Sequence, residues 1–159
     1  MSTVSYYEAD EAPMIERYTA GVFPVHLAIG DPLLSSLLEL TLAEDGHQTV
    51  MFTSARKLWE SFSSRRPRFI ITEGRFNDGF EASNLCRLVR RDYPRPYVYI
   101  YVISRHHEME EIEEALDAGA NDYSIKPVNP LHIRTRVLVG MHWLAYIDSI
   151  TPPHPPPTR

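Results

Sequence analysis

The sequence predicts an α/β fold in three layers, with a five-stranded, doubly wound parallel sheet between two layers of helices. Short runs of β-branched and aromatic residues recur five times between Val25 and Ile125. Each run is followed by an apolar pattern of helical period, long enough to serve as a crossover between parallel strands. The strand runs are almost continuously apolar, as a sheet covered on both faces requires.

Taken in order, Val25, Leu27 and Ile29 predict the first strand. Asp31 then offers a cap and Pro32 a first helical position, where a missing N–H costs nothing. Leu34, Leu37, Leu38 and Leu42 carry the first helix to a stop at Gly46. Thr49 to Thr53 predicts the second strand, and Ser54 to Ser63 a helix with Leu58, Trp59 and Phe62 turned inward. The third strand is Phe69 to Thr72, and the third helix Phe80 to Arg90, with Leu85, Cys86 and Val89 inside. Tyr97 to Ser104 predicts a long fourth strand. Glu108 to Ala118 follows as an acidic helix with Met109, Ile112, Ala115 and Leu116 on one face, closed by Gly119. The fifth strand is Asp122 to Ile125, and the last helix runs from Pro130 to about Ile147.

The chain's 159 residues suit one compact domain, placed at 23–150, after an N-terminal tail (1–22) and before an extended, proline-rich tail (151–159). A net charge of −5 gives no footprint for direct nucleic-acid binding. The arginines at 65, 66 and 68, and at 87, 90 and 91, are expected as solvated helix ends. Cys86 cannot pair within the chain and reads as a packed thiol suited to a reducing compartment. No secretory signal and no membrane-length apolar run are present, so the expectation is a soluble, cytoplasmic protein.

In open parallel sheets the reactive crevice lies beyond the carboxyl ends of the strands. That rule selects Gly30 to Pro32, Thr72 to Asp78, Ser104 to His106, and Lys126 to Pro127. The stretch Glu114-Ala-Leu-Asp-Ala-Gly-Ala-Asn-Asp-Tyr-Ser-Ile-Lys-Pro127 resembles the receiver domain of two-component response regulators, and the likeness runs from about Val25 to Ile147. The resemblance implies a flavodoxin-like strand order, 2-1-3-4-5. It also implies that Lys126 is the family's lysine, Pro127 a cis-linked proline, and Ser104 and Tyr123 the switch pair. Tyr97 to Ser104 resembles a receiver subgroup often joined to diguanylate cyclase or phosphatase outputs.

Active members carry an acidic pair after the first strand and an aspartate after the third. Together these hold Mg²⁺, and the aspartate attacks a phosphoryl donor. Here Ile29 and Gly30 fall where the pair belongs, leaving Asp31 just beyond; a one-residue shift makes the pair Gly30 and Asp31. Glu73 falls at the phosphoacceptor position, with Thr72 as the other candidate, because the loop from Gly74 to Gly79 is two residues shorter than usual and lacks the customary proline. The expectation is weak or absent Mg²⁺ binding, no catalysis, and either a direct Glu73–Lys126 pair or a solvent-facing Glu73. The implied function is a pseudo-receiver, acting by phosphate-independent contact with a histidine kinase, an output domain or another signalling protein. The alternatives are a working receiver phosphorylated at Glu73 or a neighbour, and the regulatory part of a longer cyclase or phosphatase regulator. Gly74 and Gly79 read as turn residues, and His106-His107 as a loop pair. The excess of apolar residues on the last helix suggests a homodimer through the 108–118 and 130–147 helices, with acidic residues facing Arg134 and Arg136.

Overall fold

The structure, a computed structural model, describes residues 23–151. The N-terminal tail and nearly all of the proline-rich tail expected above lie outside the described residues. Five strands and five helices alternate: β1 (Val25–Ala28), α1 (Pro32–Glu44), β2 (Thr49–Phe52), α2 (Ala55–Arg65), β3 (Phe69–Glu73), α3 (Ala82–Asp92), β4 (Tyr99–Ser104), α4 (Met109–Asp117), β5 (Asp122–Ile125) and α5 (Pro130–Ile150). All strand pairs are parallel, in the order β2-β1-β3-β4-β5.

The strands are largely apolar, and the two-residue period divides their side chains between two cores. Leu27, Ile29, Phe69, Ile71, Tyr101 and Ile103 pack with Leu38 and Leu42 of α1 and with Ile133, Val137, Met141 and Leu144 of α5. Ala28, Ile70, Ile100 and Val102 pack with Leu58, Phe62, Leu85, Cys86, Val89 and Ala115 of α2, α3 and α4. Gly140 lets α5 approach the sheet: a Cβ there would lie 2.6 Å from both the Phe69 and Tyr99 rings.

Local chemistry sets the helix starts. Asp31 accepts from the N–H groups of Leu33 and Leu34, Ser54 from Lys57, and Asn129 from His132. The third helix begins at Ala82 and not at Phe80, because the Asp78 carboxylate takes the Phe80 N–H and Asn84 takes that of Glu81. Strand β4 begins at Tyr99, two residues later than the sequence pattern suggested, and β2 ends at Phe52.

Two expectations about surfaces are corrected. Arg68 and Arg90 are not solvated helix ends. Arg68 donates to the Tyr97 carbonyl and to Asp148 at 2.6 Å, with its guanidinium over the Phe23 ring. Arg90 donates to the Gly119 and Val98 carbonyls and to Asn121, and stacks over Tyr97. Both fasten the amino-terminal rim of the sheet. On α4, Met109 and Leu116 are exposed and Ala115 is the buried residue, because among the described residues no element covers the helix's outer side. Among the described residues, no helix is long and apolar enough to cross a membrane.

Candidate functional site

The carboxyl ends of β1, β3 and β5 bring Asp31, Glu73 and Lys126 together. Phe69, Ile71 and Glu73 share one face of β3 by its two-residue period. The next residue toward that edge after the buried Ile71 on this face is therefore Glu73. Thr72 faces the other way, fully buried, with its hydroxyl donating to the Glu73 carbonyl. Ile29 is 3% exposed and belongs to the core shared by α1 and α5, so it presents nothing to the site. Gly30 contributes its backbone.

The Glu73 carboxylate is engaged at both oxygens. Its Oε1 accepts the Gly30 N–H at 2.6 Å and the Asp31 N–H at 2.7 Å, and its Oε2 accepts from Lys126 Nζ at 2.7 Å. The extra methylene of Glu over Asp supplies the reach across to β1. Asp31 Oδ1 serves the α1 N-terminus, and its Oδ2 lies 3.2 Å from Lys126 Nζ. Burial pulls the Asp31 carboxyl up, but the Leu34 N–H, the Lys126 ammonium and the Leu33 N–H outweigh it and hold it below the usual carboxylate range. The Lys126 and Glu73 side chains are 13% and 12% exposed. One ammonium thus faces two carboxylates, and each of the four carboxylate oxygens already accepts at least one hydrogen bond.

That arrangement does not fit a Mg²⁺ centre of the kind the resemblance implies. Such an ion needs near-octahedral oxygen coordination. Ile29 and Gly30 provide no side-chain oxygen, and the carboxylates present are oriented toward N–H groups and an ammonium. The open cleft above, of about 820 Å³, is lined in addition by Lys57, Arg75, Phe76, Asp78 and Arg105.

The remaining positions lie toward β4 and α4. Ser104 is buried, and its hydroxyl accepts the His106 N–H. Gly74 packs against it so closely that a Cβ would stand 2.6 Å from the Ser104 Oγ. Tyr123 is half-buried and its hydroxyl donates to the His106 carbonyl at 2.7 Å. His106 and His107 turn to separate acids, Glu111 and Glu108. The Lys126–Pro127 bond is cis, as is Arg95–Pro96, which the sequence reading passed over. Cys86 is buried, and burial pushes its thiol up to about 11.

The basic row expected to face α4 of a second copy is engaged within the chain. Arg134 pairs with Glu44 and Asp45 of the α1 end, and Arg136 with Asp122. On α4, Glu111 pairs with Arg75 and Glu114 with Arg87. Sequence reasoning missed the Gly30 and Asp31 N–H groups as partners of Glu73; a glycine directly after an apolar strand was the available signal.

The family model of the response regulator receiver domain matches residues 25–138. The transcriptional regulatory protein AfsQ1 of Streptomyces coelicolor is 28% identical over 109 residues, covering 67% of this chain and 46% of that protein. The chain therefore spans about half the length of that curated relative. A putative response regulator from Chloroflexus aurantiacus superposes with a TM-score of 0.69 at 21% identity, covering 76% of this chain and 98% of that one. The receiver domain of the sensor histidine kinase PA1611 from Pseudomonas aeruginosa has a magnesium ion coordinated in its active-site cleft; it superposes with a TM-score of 0.68 at 20% identity, covering 77% and 99%.

Proposed function

The chain belongs to the response regulator receiver family of two-component systems, and from that premise we propose that it is a pseudo-receiver, closed by its own side chains and signalling through protein contact without phosphate. The observation that carries the reading is the Glu73 carboxylate, which bonds Gly30, Asp31 and Lys126 at once. In phosphoryl transfer, nearly all catalysis is positioning and electrostatic stabilisation by metal and cation. Here the lysine is neutralised by resident carboxylates, and the one acidic side chain on the β1 loop caps a helix and faces that lysine. Mg²⁺ is accordingly held weakly or not at all.

Without phosphate to redistribute, the three-way pair fixes the β1, β3 and β5 ends in one arrangement. Receiver domains interact with histidine kinases and output domains, and the partner of this chain is read as one of these or another signalling protein. The test is incubation with acetyl phosphate and Mg²⁺ followed by intact mass measurement. An unchanged mass is expected. A gain of one phosphate, removed by Glu73→Gln, overturns the reading in favour of a working receiver.

A further inference from the structure

Helix α5 is apolar around more of its circumference than the sheet covers. Ile133, Val137, Met141 and Leu144 are buried, while Val139, Trp143, Tyr146 and Ile150 form a second stripe, 51%, 41%, 53% and 58% exposed. The Trp143 and Tyr146 rings stack at 5.9 Å between centroids. Beside them lies an open groove of about 470 Å³, bounded by Tyr99, Asn121, Val139 and His142. The Trp143 indole N–H and the exposed His142 ring have no hydrogen-bond partner among the described residues. A groove of aromatic faces flanked by free donors matches an extended proline-rich strand, whose pyrrolidine rings stack on aromatics and whose carbonyls stay open.

This chain carries such a segment. Residues 152–159 read Pro-Pro-His-Pro-Pro-Pro-Thr-Arg, with five prolines in eight positions and no acidic residue. We propose that the α5 groove is the docking site for the proline-rich segment 152–157 of a second copy of this chain.

Length and geometry favour the second copy over the chain's own segment. Six residues of polyproline helix span roughly 19 Å, and the stripe from Val139 to Ile150 spans roughly 16 Å of helix, so the two match. Thr151 leaves α5 in extended backbone, with φ −96° and ψ 121°, the conformation favoured before proline. To lie on its own Trp143 the chain would have to reverse at once through Thr151-Pro152-Pro153-His154. A second proline at the third position of that turn opposes the common reversal. The proposal is independent of whether the carboxyl-edge pocket accepts phosphate.

The test uses the full chain in two isotopic forms. One carries a nitroxide attached through Thr158→Cys, and the buried Cys86 stays unlabelled. The other is ¹⁵N-labelled without a nitroxide. In the mixture, loss of most of the Trp143 indole signal and of the Val139 and Tyr146 amide signals is expected. Replacing Pro155, Pro156 and Pro157 with Ser restores them, and Trp143→Ala, at an exposed position, relieves the loss at Val139 and Tyr146. The proposal is overturned by an unbroadened mixture, or by broadening confined to a third sample, a chain carrying both ¹⁵N and the nitroxide diluted in unlabelled protein, which marks the chain's own segment. Broadening that survives the proline replacement overturns it too, by assigning the groove to another surface of the second copy.

Discussion

Replacing Lys126 with Met removes the one cation that faces both carboxylates while keeping the length and much of the volume of the side chain. Exposed ion pairs contribute about 0–1 kcal/mol, and breaking a fully buried pair costs about 3–5 kcal/mol. At 13% and 12% exposure, Lys126 and Glu73 sit nearer the buried limit. The Glu73 carboxylate keeps two backbone donors at 2.6 and 2.7 Å, which lowers the cost of losing the third. The balance is a destabilisation of about 2–3 kcal/mol for Lys126→Met, with Asp31 and Glu73 left as like charges. Glu73→Gln keeps an acceptor for the two N–H groups but turns an amide toward the ammonium, and costs about 2 kcal/mol. Once the lysine is gone, the Gln loses little, so the double variant falls short of additivity by about 1–2 kcal/mol. Urea unfolding of the four proteins at neutral pH, at low and high salt, measures the cycle. The shielded pair predicts a coupling that changes little with salt. Single variants each within about 0.5 kcal/mol of the parent, with an additive double, would refute the idea that this pair closes the pocket.

Three further outcomes follow from other parts of the molecule. Gly140→Ala forces α5 off the Phe69 and Tyr99 rings and is expected to cost about 1–3 kcal/mol in the same unfolding assay, against the gain a helix normally draws from alanine. His26 and His47 are both held below the ordinary imidazole value, chiefly by burial. Their folded forms bind protons less readily than the unfolded chain, so stability is complete above about pH 6.5 and falls as the pH drops below it. The joint variant His26→Phe and His47→Leu should flatten that slope in denaturant titrations across pH; an unchanged slope would assign it elsewhere. Cys86, with its thiol pushed up to about 11, should react with a disulfide reagent only as fast as the protein opens, giving a large acceleration in denaturant and almost none in native buffer.

What could be read in the residues was whatever is local or periodic. The alternating runs gave five strands and five helices, and Asp31-Pro32 marked one helix start because capping is settled within four residues; the Asn129 cap of α5 emerged only from the structure. Lys126, Tyr123 and Ser104 were assigned through the resemblance to the receiver family, counted along the Glu114–Pro127 stretch. Which of Thr72 and Glu73 faces Lys126 follows once β3 is paired, because the sheet's pleat turns Glu73 toward it and Thr72 to the other face. Arg68 and Arg90 resisted because their partners lie up to 80 residues away along the chain, at Asp148 and Gly119 among others. The α4 face was misjudged at Met109 and Leu116 because a helical period shows which residues share a side, not whether anything covers it. Gly140 drew no notice in the sequence, because its role comes from two rings on strands far away along the chain.

The arginines of the amino-terminal rim have a consequence for how the domain is joined to anything else. Phe23 lies under the Arg68 guanidinium, and that same group grips Asp148 three residues before Thr151. Segments entering before Phe23 and leaving after Ile150 are therefore anchored at a common cleat, on the side of the sheet remote from Lys126. A load applied through either connection is borne first by that cleat and by the strands running up from it. Loops around the lysine lie at the opposite ends of the strands and would feel such a load last.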